Sequence, residues 1–342
     1  MQLTWLRKNL FNSWYDSLLT ILCLLLIIQF IRKFVLWTIT EARWQVVQVN
    51  LPLFLVGRFP RNSYWRLWIV LGIITFLIII TWNLFTATAQ KNIIKRKFLN
   101  LIVPWLAPAW LLSCPLILWL MGGGFGLQSI PTNLWNGLIL TLLMAVISIV
   151  ISFPLGILLA LGRTSNLFVI RWFSILYIEI IRGLPLIGIL FIAQVMLPLF
   201  LPTELRLDRL IRGIAGLVLF SAAYMAENVR GGLQSIPRGQ IEAAKALGLQ
   251  TPLVVILVVL PQALRAVIPA IVGQFIGLLK DTSLLSLVGL VELTGMSRSI
   301  LAQPQFIGRY AEVYIFVGLL YWVFCYSMSL ASRRLEKQLI NI

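Results

Sequence analysis

Glu242-Ala243-Ala244-Lys245-Ala246-Leu247-Gly248 is a short polar stretch set between two long apolar runs. Ala, Glu, Lys and Leu all favour helix. Ser235 to Arg238 supplies a start, because Pro237 suits a helix N-terminus and not a helix interior. Gly248 supplies a stop, since the left-handed residue after a helix is best made by glycine. Thr251-Pro252 then reads as an N-cap and first-turn proline of a new helix. A small, exposed and sharply bounded helix between membrane spans is suited to docking on a soluble partner.

The runs on either side set the fold class. The chain has 342 residues and is 60% hydrophobic, against about 45–50% for soluble domains. Its mean hydropathy is +0.95. Several apolar runs reach the ~20 residues that cross a bilayer, and they are continuous rather than alternating. The expectation is an all-α polytopic membrane protein of about eight spans. The net charge of +17 sits mostly at the ends of spans, where basic side chains meet headgroups. It therefore points to membrane lipid and away from nucleic acid. The chain has no histidine, which removes His-ligated metals and His general bases. Cys23, Cys114 and Cys325 all fall inside apolar runs and read as small core residues. The first apolar run ends at Arg32-Lys33 with no cleavage site, so it is not expected to be a signal peptide.

In order, the expected spans are Ser17–Trp37, Leu67–Ala87, Leu101–Met121, Leu134–Leu161, Pro185–Phe200, Ile214–Val229, Pro252–Leu279 and Val313–Leu330. Arg7 and Lys8 precede the first, and Lys91, Lys95, Arg96 and Lys97 follow the second. Leu167 to Leu201 is too long for one span, at about 50 Å against a ~30 Å hydrocarbon core. Arg182-Gly183-Leu184-Pro185 breaks it, leaving Leu167–Ile181 as a tilted or interfacial helix. The seventh span is expected to kink at Pro261 and Pro269. The glycine-rich, uncharged 122–133 loop marks a boundary. It separates a three-span N-terminal extension, 1–121, from a five-span unit, 134–335, that carries the 230–251 loop. Both termini and that loop fall on the cytoplasmic side by parity, and most basic loops agree. The loop before the second span, with Arg43, Arg58, Arg61 and Arg66, falls on the outside and does not agree.

The order Glu242-Ala243-Ala244, then Gly248, then Leu260-Pro261 resembles the coupling loop of permease subunits of bacterial ABC importers. Arg230-Gly231-Gly232, Ile236-Pro237-Arg238-Gly239-Gln240, Leu260-Pro261-Gln262-Ala263-Leu264-Arg265 and Lys280-Asp281-Thr282-Ser283-Leu284 resemble the histidine/glutamine-type amino-acid permeases. The likeness covers roughly residues 130–335. The segment before it resembles the long M-type subunit of general L-amino-acid permeases. The resemblance implies a type I importer core in a bacterial inner membrane, forming half of a pathway. Its implied partners are a second permease subunit in a hetero- or homodimer, two ATPase subunits and an extracytoplasmic solute-binding protein. The implied substrate is an amino acid. Glu242, Ala243, Ala244, Gly248, Leu260 and Pro261 are the implied coupling residues.

The residues outside that loop carry less. Gly277-Leu278-Leu279-Lys280-Asp281-Thr282 lacks the glycine before lysine that a phosphate loop needs, so ATP hydrolysis is left to another chain. No catalytic residue, cofactor or metal site is expected. Lys280, Asp281, Thr282, Ser283 and Glu292 are candidates for a substrate path or gate, and equally for capping of a re-entrant turn. Glu179 and Arg182 stand at pairing distance, either to stabilise the break before Pro185 or as functional intramembrane charges, and Tyr224, Glu227 and Arg230 near the coupling loop read as a structural network. A secondary transporter with ion coupling is the alternative, but it expects repeated halves, and the first three spans do not resemble the last five. A membrane-embedded enzyme is disfavoured by the lack of histidine and of paired carboxylates.

Overall fold

A computed structural model describes residues 9–87 and 93–340, without side chains for 85–87, 93–103, 203 and 338–340. Arg7, Lys8 and Lys91, and the side chains of Lys95, Arg96 and Lys97, lie outside the described residues. Every regular element among the described residues is helical, with only isolated bridges at Gly124–Leu127 and Gly137–Glu292. Seven helices are long and apolar enough to cross a membrane, and eight if one bent pair is a single span.

The extension holds α1 (Trp14–Thr40), α2 (Gln45–Val56), α3 (Tyr64–Ala87) and α4 (Ile93–Gly122). The rest begins with α5 (Gly137–Arg163), then α6 (Phe168–Gly183) and α7 (Leu186–Phe200), which meet at 103°. That break falls at Leu184-Pro185, where the sequence places it. Then come α8 (Arg209–Gln234), α9 (Arg238–Ala246), α10 (Thr251–Ala266), α11 (Ile268–Asp281), α12 (Leu293–Leu301) and α13 (Tyr310–Ile340).

The pair α5–α8 is the centre of the molecule. It closes through small residues, as helices without a hydrophobic drive between them must. A Cβ on Gly156 would lie 2.6 Å from the Met225 side chain, and Ala222, Ala223 and Ala226 are fully buried. Leu140, Leu143, Met144 and Ile147 of α5 join Leu217 of α8, Leu278 of α11 and Ile117 and Met121 of α4 in one core. The end of the third span thus shares the main core with α5, whereas α1 buries no residue.

Two expectations are corrected, and a third is extended. The stretch before the second span is not only a loop: it contains α2, whose Val46, Asn50 and Phe54 form a buried face at helical spacing. Its valines favour a strand by propensity, and tertiary burial overrides them. The kinks expected in the seventh span are present, and they go as far as dividing it into α10 and α11. A π-turn at Val255–Val259 precedes Pro261, and the chain breaks at Val267 before Pro269, since each proline withdraws a backbone donor. Gln250 caps α10, and Thr251 and Pro252 are its first two residues.

Candidate functional site

One end of the molecule carries α9. Pro237 caps its start in extended conformation, and Gly248 ends it at φ +81°. Gly248 N–H donates to Lys245 O at 2.9 Å and Leu249 N–H to Ala244 O at 3.2 Å, the paired bonds of a Schellman turn. Ala244 is buried against Val254 and Val259, so α9 rests on the π-turn of α10 by one face. Its other face is open: Glu242, Ala243, Lys245 and Gly248 are exposed, and Leu247 is 83% exposed. A bare leucine at the tip of a polar helix is a natural anchor for a partner's groove. Leu260 is half-buried in the cluster around Ala226 and Val229, and Pro261 is exposed, so these two shape α10 rather than extend the open face.

A charge network lies at the same ends of α5, α6 and α8. Glu227 accepts from Arg163 Nη1 at 2.9 Å and from Arg230 Nε and Nη2 at 3.1 and 2.8 Å, with Arg182 Nη1 at 3.5 Å. Arg163 also reaches Glu179 at 3.0 Å, and Arg182 stacks over Tyr224, 5.5 Å from its ring centre. The expected Glu227–Arg230 pair is present. The expected Glu179–Arg182 pairing is replaced, because Arg163 from α5 takes Glu179 and Arg182 turns to α8. Arg163 is the member that sequence spacing could not supply, being 64 residues from Glu227.

The remaining candidates lie at the opposite end. Lys280 is exposed and Asp281 half-buried, with no ion pair between them. Thr282 is fully buried and donates to Leu279 O at 2.6 Å, closing its own helix. Ser283 offers its carbonyl to Ser286 Oγ at 2.8 Å. Glu292 is fully buried and caps α12: it accepts from Thr294 N–H at 2.8 Å and Gly295 N–H at 3.0 Å. Tyr321 OH of α13 donates to it at 3.1 Å, and the Thr141 hydroxyl of α5 lies 3.4 Å away. Burial pushes its carboxyl up to about 7, against these donors, which pull it down. Glu292 therefore knots three helices. Thr141 and Tyr321, its partners, are single polar groups inside apolar runs and leave no sequence pattern.

Beside that knot sits α2. Gly137 has φ +71°, and a Cβ there would lie 2.7 Å from Phe54 O. Gly137 N–H donates to Val291 O at 3.1 Å, and Phe54 meets Phe316 edge-on at 5.1 Å. The glycine lets the backbones of α2, α5 and the strand-like entry to α12 approach one another. Among the described residues, no cluster of three or more His, Cys, Asp or Glu could hold a metal.

Residues 152–341 match the family described as the inner membrane component of binding-protein-dependent transport systems. The chain is 39% identical to the Escherichia coli inner membrane amino-acid ABC transporter permease protein YhdY, over 98% of this chain and 92% of that one. It is 34% identical to the glutamate/glutamine/aspartate/asparagine transport system permease protein BztC of Rhodobacter capsulatus, over 98% and 93%. A solved structure titled as an amino acid ABC transporter with histidines matches with TM-score 0.54 and 31% identity, covering 59% of this chain and 92% of that one. The chain belongs to the family of binding-protein-dependent transport system inner membrane components.

Proposed function

We propose that this chain is the permease subunit of an ATP-driven importer of amino acids, coupled to its ATPase through α9. The carrying observation is the form of α9: a helix fixed at both ends, seated by one face, with Leu247 bare on the other. Nothing in the chain offers a phosphate loop, so the energy has to come from a separate ATPase subunit. The full-length relatives named above are amino-acid permeases by name, and the importer reading extends that to this chain. No internal repeat favours the secondary-transporter alternative.

In this reading the chain spans a bacterial inner membrane with α9 and both termini in the cytoplasm. The 134–335 unit forms half of the pathway and a second permease subunit the other half. Two ATPase subunits dock below, and an extracytoplasmic solute-binding protein delivers the substrate from the opposite side. The 1–121 extension and the 122–133 linker are additions to that unit. The 59% of the chain that the shorter solved transporter covers is close in size to the unit alone. The substrate path runs past Lys280 and Asp281, and Glu292 holds the path's wall rather than the substrate.

Purification gives the test. The chain alone is expected to hydrolyse no ATP, and the complex with its ATPase subunits to hydrolyse it and drive amino-acid uptake into vesicles. Hydrolysis by the isolated chain, or uptake driven by an ion gradient without ATP, overturns the reading.

A further inference from the structure

Helix α8 joins two parts of the molecule that lie apart in sequence, α9 and the elbow between α6 and α7. Only Ser235 and Ile236 separate the end of α8 at Gln234 from the Pro237 cap of α9. That joint is stiff. Ser235 N–H donates to Gly231 O at 3.2 Å, and its hydroxyl donates to Gly232 O at 2.8 Å. Leu233 packs both on the cluster of Ala226 and Val229 and on the Ala244 cluster under α9. A displacement of α9 therefore moves the end of α8, and with it Glu227, which lies about two turns back along the helix.

The elbow is held in a different way. As far as Ile178, α6 is fixed by packing. A Cβ on Gly162 of α5 would collide with the Ser174 hydroxyl, Tyr177 OH donates to Leu219 O at 2.7 Å, and Ile178 is fully buried with Ala160 and Met225. From Glu179 to Pro185 no residue is buried, and a Cβ on Gly183 would meet nothing within 4 Å. Burial resumes only at Leu186. Charge ties this stretch to its neighbours: Glu179 to Arg163 of α5, and Arg182 to Glu227 of α8. Directly after Arg182 and Gly183, Leu184 and Pro185 are extended and turn the chain through 103°.

Arg182 is the loosest member of the network. Arg163 and Arg230 hold Glu227 by hydrogen bonds of 2.9 and 2.8 Å, whereas Arg182 Nη1 stands 3.5 Å away, beyond the usual N–H···O range. Its guanidinium rests over the Tyr224 ring, on the same helix as Glu227, and its side chain is 36% exposed. Glu227 keeps its other arginines when Arg182 leaves, and no buried volume is opened. An ion pair of this kind adds little to stability and can break and re-form readily.

We infer that Arg182 is a positioning residue for coupling: its contact with Glu227 and Tyr224 carries the movement of α9, through α8, to the hinge at Leu184-Pro185, and so sets the direction of α7. This inference rests on the importer reading and on α9 as the docking helix. Hinges are a few element-terminal residues that absorb the change in backbone angles, and the unburied stretch ending at Pro185 has that form.

The test uses the whole importer in vesicles, with its companion permease, ATPase subunits and solute-binding protein, and a radiolabelled mixture of the twenty amino acids. ATPase retained on the complex, ATP hydrolysed and amino acid taken up are read together, with the Tm of the purified complex. Arg182→Gln keeps most of the side chain's bulk and removes its charge. It is expected to keep the ATPase, the Tm and the rate of hydrolysis, while uptake per ATP falls about fivefold or more. Arg182→Lys should fall less, since the charge survives. Glu179→Gln lies in the same exposed stretch but loses a pair to α5 and not to α8, so its ratio should stay within about twofold of wild type. A ratio within twofold of wild type in Arg182→Gln overturns the inference, and a lowered Tm beside that ratio assigns the pair to stability alone. An equal fall in Arg182→Gln and Glu179→Gln overturns the route through α8. Loss of the ATPase from the Arg182→Gln complex also overturns it, by assigning Arg182 to docking. The importer reading survives each of these results. A wild-type complex that hydrolyses ATP and takes up no amino acid overturns that reading, and the inference with it.

Discussion

The two ends of this molecule are built on opposite principles. At the α9 end, a short helix is held by one buried alanine and two capping residues, and its charge network is partly open to solvent. At the other end, Glu292 is sealed among four donors, and α2 lies so close to Gly137 that a Cβ there would come within 2.7 Å of Phe54 O. One end is shaped to be touched by something else. The other is packed against itself. Stability should therefore reside at the Glu292 end and function at the α9 end, and substitutions at matched positions separate the two.

The largest effect is expected from a pair of glycines. Gly137 and Gly248 both have positive φ, but only Gly137 is crowded, with Phe54 O and Leu53 O under 3 Å from a built Cβ. Gly137→Ala adds overpacking and backbone collision to conformational strain, roughly 3 kcal/mol or more. Gly248→Ala meets open space and costs only the left-handed conformation, on the order of 1 kcal/mol. Thermal unfolding of the detergent-purified complex should show a Tm drop several times larger for Gly137→Ala. Equal drops would erase the distinction between the ends.

A smaller effect is expected at Glu292, and its size depends on pH. Burial raises its carboxyl in the fold to about 7, from an ordinary value of 4.5. The folded state therefore binds the proton more tightly than the unfolded chain. The stability this group contributes is full below about pH 4.5 and is lost as pH rises through about 7. The wild-type Tm should fall between about pH 5 and pH 8, and Glu292→Gln should flatten that fall. An unchanged slope in Glu292→Gln would mean that other groups carry the pH dependence.

The same contrast explains what the sequence could disclose. At the α9 end every determinant is local: Pro237, Gly248 and the helix formers between them lie within a dozen residues and obey capping rules. The break at Leu184-Pro185 and the disturbances around Pro261 and Pro269 were legible for the same reason. The Glu292 end depends on contacts across the chain. Arg43 meets Glu312 over 269 residues, and Leu293 meets Thr141 over 152. The face of α2 is readable only once α12 and α13 are present to cover it, which is why a valine-rich loop hid a helix. Glu292 stood out as a candidate for a path, a gate or a cap, yet nothing near it in sequence distinguishes a cap from a substrate contact.

Leu247 bears most directly on the account, because it lies in the coupling end and contributes almost nothing to the fold. Leu247→Asp replaces an exposed side chain, so its effect on stability should stay within about 0.5 kcal/mol. The measurement is amino-acid uptake per ATP hydrolysed, in vesicles holding the permease pair and the ATPase subunits. The account predicts that Leu247→Asp inserts and folds as the wild type does, while uptake falls at least about tenfold, either because the ATPase no longer stays bound or because its hydrolysis no longer drives transport. Uptake and stoichiometry equal to wild type, with the ATPase still bound, would contradict it and remove α9 as the element through which energy enters this chain.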